Sequence, residues 1–214
     1  MKNVTDNDIE KVRQWLNLLE PYVGIRDCLA LSFASDYDSE DGNPGSPFTK
    51  VGSLRKLAKT YGKAPTHASL AAADELTKLC LNTLRELTCY DSATCVVAVP
   101  PSDPGKPYNL PRHIATGIAA RLGKKDLCGH VKTNQARQSV RGTPCDEKLP
   151  VIEGTVSVTP GVFEGKSVLL IDDLYQSGVT MNYVAMLILE AGAEKVFGLA
   201  CEKTCSNDDN VSRR

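Results

Sequence analysis

The sequence contains little that would direct the protein to a membrane or to nucleic acid. Its formal net charge is only −1 at pH 7, so the chain carries no broad positive field that attracts polyanions. No run reaches the roughly 18 apolar residues that span a bilayer, and the first residues include no apolar signal core. We therefore expect a cytoplasmic protein with no membrane partner. Nucleic acid is not indicated, and contact with it would need a local basic loop or a partner protein.

Cysteine pairs with the spacing of a zinc knuckle are also missing. None of the eight cysteines belongs to a CxxC pair, which excludes a paired-knuckle zinc site. Several cysteines lie in apolar runs, where a reduced thiol packs as a small hydrophobic side chain. The chain has 214 residues, 42% of them hydrophobic and 24% charged. These values are typical of one soluble domain that buries a substantial core.

What the sequence does contain is a regular alternation of apolar strands and amphipathic helices. A helix at 7–20 and a strand within 28–37 come first, before a turn-rich loop at 37–48. The alternation predicts an α/β fold, a Rossmann-like parallel sheet with helices on both faces. A polar and basic stretch at 133–163, with a short hairpin around 152–159, interrupts it and is typical of a functional loop. The remaining elements are predicted as helices at 53–62, 69–87, 111–122 and 179–193 and strands at 94–99, 127–131, 167–172 and 195–201.

The most informative segment is VLLIDDLYQSGVTM at 168–181. An apolar strand ends in Asp172 and Asp173, a turn rich in hydroxyl and glycine residues follows, and a helix then begins. Ligands of open parallel sheets bind at the carboxyl ends of strands, and the free N–H groups of a helix start bind phosphate. Two carboxylates would repel that phosphate unless they accept hydrogen bonds from hydroxyls or act through a divalent cation. This chemistry points to a ribose 5-phosphate derivative, held through its diol or with Mg²⁺.

Three other interpretations of these segments compete with this one. The acidic pair resembles a solvated strand end or a response-regulator pocket, but neither needs the phosphate-binding turn that follows. The segment GVFEGKS at 161–167 resembles a P-loop, yet Pro160 stands where the first glycine is required. Hydrolysis of nucleoside triphosphates is therefore excluded.

The segment at 168–181 resembles the phosphoribosyl pyrophosphate (PRPP) binding motif of the type I phosphoribosyltransferases. The similarity extends over about residues 50–203, because VAVPPSDPGKPYNLPRHIATGIAARLG, a loop with Gln and Arg, and the motif follow the order of the ComF-like branch. ComF-like proteins commonly begin with a cysteine-rich zinc knuckle that this sequence lacks, so zinc binding and a competence role do not carry over. The family implies a Rossmann-like core, a flexible catalytic loop and a small hood over the nucleophile site.

The resemblance divides the chain into three parts. Residues 1–60 would be an N-terminal helix and hood, 61–205 the phosphoribosyltransferase core with a flexible loop at 133–150, and 206–214 a tail. In the family's pattern, Asp172 and Asp173 match the catalytic acidic pair that faces the ribose hydroxyls, and would hold Mg²⁺ through water or substrate. The 5-phosphate loop corresponds to Gln176, Ser177, Gly178, Val179 and Thr180, and the pyrophosphate loop to Pro101, Ser102 and Asp103.

Basic residues in and beside the flexible loop complete the implied site. Lys132 would bind PRPP, and Arg137 and Arg141 would act as catalytic groups on the leaving pyrophosphate. Gln176 departs from the relatives that use 6-oxopurines, where an aspartate serves as a base at this position. Glutamine cannot ionise for that work, so hypoxanthine and guanine are disfavoured as nucleophiles.

The resemblance implies an enzyme that uses PRPP and Mg²⁺ to transfer the 5-phosphoribosyl group to a nitrogen nucleophile, with release of pyrophosphate. The nucleophile is not identified by the sequence, and a homodimer is possible because dimers are the commonest soluble assembly. Two alternatives stay open. One is a PRPP-binding sensor without turnover, and the other is an accessory protein of DNA uptake or bacterial defence that acts with a partner.

Asp173→Asn should abolish PRPP turnover, and the double variant Asp172→Asn/Asp173→Asn tests this interpretation of the motif more strongly. We expect it to lose PRPP turnover with little loss of fold, because the carboxylates would act on the sugar rather than in the core. Pyrophosphate release measures the turnover, and a rate equal to that of the wild type would contradict the assignment.

Overall fold

A six-stranded sheet forms the centre of the structure, a computed structural model that describes residues 5–40, 43, 45–138, 140 and 143–205. The strand order is β1-β2-β8-β7-β3-β4, and every neighbouring pair is parallel except β1 and β2. The strands are β1 (Val23–Ile25), β2 (Leu31–Tyr37), β3 (Cys95–Ala98), β4 (Lys125–Asp126), β7 (Ser167–Tyr175) and β8 (Lys195–Lys203), and a separate antiparallel pair is formed by β5 (Val131–Thr133) and β6 (Val156–Val158). This mostly parallel sheet with its helices confirms the predicted α/β fold.

Helices cover both faces of the sheet, as the sequence predicts. Along β7, Leu169 and Ile171 pack into one apolar core, whereas Val168 and Leu170 pack into the other. Neighbouring residues of a strand point to opposite faces, so each face needs its own layer. The helices are α1 (Asp6–Leu19), α2 (Lys50–Ala58), α3 (His67–Glu86), α4 (Leu110–Leu122), α5 (Cys145–Ile152) and α6 (Val179–Glu190). Helices α2, α3 and α4 contribute to the first core, and α5 and α6 to the second.

The predicted helix at 53–62 begins and ends earlier in the structure. The side-chain oxygen of Thr49 accepts a hydrogen bond from the backbone N–H of Gly52, so the helix begins at Lys50. It ends at Ala58, and Tyr61 and Gly62 have positive φ angles of 50° and 87° that no helix continues through. The shift matters because the turn that follows the helix lines a cleft at the edge of the sheet.

Two predictions between residues 127 and 159 are wrong. Residues 128–130 form a 3-10 helix instead of a strand, and β5 follows it. The predicted hairpin at 152–159 is absent from the described residues, because Ile152 ends α5 and Val156–Val158 pairs with β5. Short apolar runs fit a buried helix as well as a strand, and α5 contains Pro150, a residue type that helix interiors disfavour.

The segment predicted to be a hood contributes to the main sheet. Strand β2 pairs along its length with β8, and α2 packs against α3. The division of function at residue 60 stays a prediction, and the tail at 206–214 lies outside the described residues. Within the part of the chain that is described, no helix has both the length and the apolar character needed to cross a membrane.

Gly52→Ala should destabilise the fold, because α2 passes very close to the end of β2. A Cβ atom at Gly52 would overlap the carbonyl oxygen of Asp38, and forced overpacking of this kind typically costs about 1–3 kcal/mol. Urea unfolding of both proteins measures the change in the free energy of unfolding.

Gly129→Ala is the matched control, because a Cβ atom there meets nothing within 4 Å. Its free energy of unfolding should stay close to that of the wild type. If the variant at residue 52 were as stable as this control, the close approach of α2 to Asp38 would be refuted.

Candidate functional site

A cleft of about 270 Å³ opens at the carboxyl ends of β3 and β7. Its lining includes residues 99–102 after β3, 172–181 around the end of β7 and 59–62 after α2, together with Lys106, residues 108–111, Val140 and Lys148. Because β3 and β7 are parallel neighbours, the loops that follow them leave the sheet at the same edge. The predicted residues that line this cleft are Asp172, Asp173, Gln176, Ser177, Gly178, Val179, Thr180, Pro101 and Ser102.

The loop between β7 and α6 requires a glycine. Gly178 has a φ angle of 74°, and a Cβ atom there would overlap the hydroxyl group of Tyr175. The side-chain amide of Asn182 donates to the Gly178 carbonyl oxygen at 2.8 Å, which fixes the turn. Gly178 is also the residue that precedes the first turn of α6. Since a glycine has no side chain to cap that turn, the N–H groups of the turn are left for a ligand.

The two carboxylates at the end of β7 have different surroundings. Asp173 is buried and accepts a hydrogen bond from Lys59 Nζ at 2.8 Å, and Arg55 Nη1 lies 3.6 Å from the same oxygen. Arg55 also forms an ion pair with Glu202 of β8, whose side chain is fully buried. We call these four residues the ion cluster. Asp172 is only half-buried and lies outside it, with one oxygen accepting the backbone N–H of Asp173 at 2.8 Å.

These surroundings shift the acidities of the pair in opposite directions. Burial and the neighbouring Asp173 carboxylate raise the pKa of Asp172 well above its usual value. Burial also acts against ionisation of Asp173, but Lys59 and Arg55 outweigh it and hold the pKa of Asp173 below its usual value. Asp173 is therefore the more readily ionised member of the pair, and ionisation of Asp172 is costly unless a ligand compensates it.

Three lysines that line the cleft were not assigned roles from the sequence. Lys59 reaches Asp173, and Lys106 Nζ donates to Ser102 Oγ at 3.1 Å. Lys148, which lies on α5 within the predicted polar stretch, is 1% exposed and its Nζ donates to Ser177 Oγ at 2.8 Å. Only Lys106 carried a usable signal, its position five residues after Pro101. The other two act across long stretches of chain.

The start of the predicted flexible loop lies against the loop that follows β3. Thr133 Oγ1 donates to the Pro101 carbonyl oxygen at 2.5 Å, and the backbone N–H of Arg137 donates to the Ser102 carbonyl oxygen at 2.9 Å. Burial lowers the pKa of Arg137, and the charge of Asp172 acts in the opposite direction. The Arg137 Nε atom is buried and has no hydrogen-bond partner among the described residues.

Among the described residues, Arg137 and two other predicted site residues lie outside the lining of the cleft. Lys132 is exposed on β5 and does not line the cleft. Asp103 also lies outside the lining, and its carboxylate accepts the backbone N–H of Gly105 at 2.8 Å within a turn. Arg141 lies outside the described residues.

A known family matches a part of the chain that contributes to this site. Residues 115–203 match a family model described as a phosphoribosyl transferase domain. The match runs from α4 to the end of β8, so it includes β7, the glycine turn and α6 but not the loop after β3. It supports the phosphoribosyltransferase family for this part of the chain and does not identify the ComF-like branch. A search of the curated proteins gives no match.

Solved structures with detectable similarity have low sequence identity to the chain. The glutamine PRPP amidotransferase of B. subtilis is 18% identical with a TM-score of 0.48, over 69% of this chain and 30% of its own. The adenine phosphoribosyltransferase of Thermoanaerobacter pseudethanolicus is 16% identical with a TM-score of 0.40, over 62% and 80%. That of Leishmania donovani is 14% identical with a TM-score of 0.42, over 100% and 92%. The chain thus spans less than a third of the amidotransferase it matches.

Asp172→Asn and Asp173→Asn should change stability in opposite directions at pH 7. The pKa of Asp172 is raised in the folded protein. Its ionisation therefore lowers the free energy of unfolding at pH values above about 3.9, the pKa of an aspartate in an unfolded chain. An asparagine side chain at this position avoids that cost, and the variant should gain stability over the wild type as the pH rises from about 4. The pKa of Asp173 is lowered, so its contribution is present at pH 7 and lost in acid. Asp173→Asn should cost about 1.5–3 kcal/mol, because Arg55 loses a carboxylate partner.

Urea unfolding between pH 4 and pH 7 measures both differences, with Asp91→Asn at an exposed position as the control. Equal shifts of the same sign for the two variants would contradict the different surroundings of the pair. The structure also revises the expectation that the double variant keeps its fold unharmed, since Asp173 belongs to the ion cluster.

Proposed function

We propose that the protein binds PRPP with Mg²⁺ and transfers its 5-phosphoribosyl group to a nitrogen nucleophile, releasing pyrophosphate. The observation that carries the proposal is the composition of the cleft, which the glycine turn before α6, the loop after β3 and Asp172 line together. A ligand with a monophosphate at one end and a pyrophosphate at the other suits that arrangement. The family match over residues 115–203 supports it.

In this proposal each loop binds one end of the substrate. The N–H groups at the start of α6 and the side chains of Ser177 and Thr180 bind the 5-phosphate. The loop of Pro101 and Ser102 binds the pyrophosphate, with Lys106 beside it. Asp172 accepts hydrogen bonds from the ribose hydroxyls, which compensates the cost of its ionisation in a half-buried position.

The residues of the cleft fit a Mg²⁺ ion that is coordinated by both the protein and the substrate. The carboxylate of Asp172 is a hard oxygen donor of the kind that Mg²⁺ prefers. The described residues contain no group of three or more His, Cys, Asp or Glu side chains that would hold a metal by themselves. Mg²⁺ would therefore need oxygens from the substrate or water in addition to Asp172. Asp173 could bind the ion only if its ion pair with Lys59 were broken. When bound, the ion supplies positive charge to the pyrophosphate.

The chain's own residues would act mainly by positioning and electrostatics. Displacement at the anomeric carbon passes through an oxocarbenium-like state, as in glycoside hydrolysis. The glycine turn fixes the sugar phosphate while Lys106 and Arg137 stabilise the negative charge that grows on the leaving pyrophosphate. The ionised carboxylate of Asp172 stabilises the positive charge that grows on the ribose.

The nucleophile would enter beside the turn that follows α2. Tyr61 and Gly62 of this turn line the cleft. Gln176 also lines the cleft, and its neutral amide disfavours 6-oxopurines, because it cannot take up the proton that an aspartate base would accept. The class of nucleophile has to be identified by testing candidate compounds.

Titration with PRPP by calorimetry, with and without Mg²⁺, tests the proposal directly. We expect binding that strengthens with Mg²⁺, together with pyrophosphate release for one member of a panel of nitrogen bases, ammonia and nucleosides. Asp172→Asn should slow the turnover by raising the activation free energy by about 2.7–4 kcal/mol, the usual cost of removing one charge-stabilising group. The variant should nevertheless be more stable to unfolding than the wild type.

Asp91→Asn should keep the wild-type rate and serves as the matched control for an aspartate substitution. The absence of PRPP binding under either condition would overturn the proposal. Binding without release for any member of the panel would instead favour a PRPP sensor, or a protein whose nucleophile is supplied by a partner.

A further inference from the structure

Lys148 is a basic side chain buried beside the glycine turn. It is 1% exposed, and it lines the cleft on which the proposed function rests. Its Nζ atom donates to Ser177 Oγ at 2.8 Å. Helix α5, which carries Lys148, packs its apolar residue Ile152 into the same core as Val184 and Ile188 of α6. The position of the ammonium group is therefore set by a folded helix that packs beside the helix whose start forms the proposed phosphate site.

The geometry of the Ser177 hydroxyl group indicates what Lys148 is placed to do. The ammonium of lysine has only donors, so Ser177 Oγ must act as the acceptor in this contact. The hydroxyl hydrogen of Ser177 then points away from Lys148 and is available to an acceptor in the cleft. Lysine and serine together offer N–H and O–H donors to one oxygen-rich group, and a phosphate monoester is the group in the proposed substrate that has several acceptor oxygens at this end.

The distribution of the other charges supports the same assignment. Three lysines line the cleft among the described residues. Lys59 is engaged with Asp173, and Lys106 lies with Ser102 at the pyrophosphate end. Lys148 is thus the lysine of the lining that lies at the end formed by the start of α6. The partial positive charge of a helix start acts in the same direction as this ammonium on a bound anion.

We propose that Lys148 is a substrate-binding residue whose ammonium group pairs with the 5-phosphate of the ligand, acting together with Ser177. This inference deepens the proposed function and rests on it. It also gives α5 a role, because the chain from Thr133 to Lys148 touches both phosphate-binding loops. Thr133 and Arg137 contact the loop after β3, and Lys148 contacts the loop after β7. One segment would then respond to both ends of PRPP.

Calorimetric titration with ribose 5-phosphate, PRPP and inorganic pyrophosphate separates the two ends of the site. Lys148→Met should weaken binding of ribose 5-phosphate and of PRPP by roughly 10- to 100-fold, the usual effect of losing a hydrogen bond to a charged group. The affinity for pyrophosphate should stay unchanged, because that ligand occupies the loop after β3. Lys125→Met, which removes one positive charge from an exposed position on β4, should bind all three ligands as the wild type does.

Urea unfolding shows whether Lys148→Met is folded, and Lys148→Gln, which keeps a donor towards Ser177 but no charge, takes its place if it is not. Wild-type affinity for ribose 5-phosphate in the folded variant would overturn this inference and leave the proposed function intact. An equal loss of affinity for pyrophosphate would also overturn it, since a merely structural lysine affects both ends. Failure of the wild-type protein to bind PRPP or ribose 5-phosphate would overturn the proposed function, and this inference with it.

Discussion

The charge balance around Arg55 is the constraint on which the candidate site depends. Parallel strands β7 and β8 end side by side, and each carries a carboxylate there, Asp173 on one and Glu202 on the other. Two buried carboxylates cannot remain ionised without a cation, because burial is costly for unpaired charges. Arg55 supplies that cation to both, and Lys59 adds a second one to Asp173. Helix α2 is therefore needed for the site, although it carries none of the motif.

This balance leaves the two aspartates with separate tasks. Asp173 is occupied by α2 and helps to hold the strand ends together, whereas Asp172 faces the cleft with a raised pKa. The sequence presents them as an equivalent pair, and only the surroundings make them different. The ionised Asp172 carboxylate lowers the stability of the protein without ligand, and a ligand that donates hydrogen bonds to it would remove that cost.

The sequence was sufficient for the features that depend on neighbouring residues. Six helices are described, and α1, α3, α4 and α6 were expected close to their observed bounds, as were β3, β7 and β8, because each has its own apolar pattern. The glycine turn before α6 was also recognisable, since strand, turn and helix follow one another directly. Helix α5 was missed, because the eight residues of a short apolar helix that contains Pro150 do not show a clear helical period.

The features that could not be predicted are contacts between distant parts of the chain. Lys59 and Asp173 are 114 positions apart, and Arg55 and Glu202 are 147 apart. A lysine in the sequence is usually a solvated side chain, and nothing in the residues around Lys148 distinguishes it from its exposed neighbours. Such roles depend on the register of strands and the packing of helices, which local patterns do not encode.

The outer strands of the main sheet have a consequence for self-association. Strand β1 has only three residues and β4 only two, so each edge offers few unpaired N–H and C=O groups to a strand from another molecule. Short edge strands are one means by which natural sheets avoid edge-to-edge aggregation. A second copy of this chain would therefore have to associate through side chains of its helices and loops, and continuation of the sheet from one molecule into the next is disfavoured.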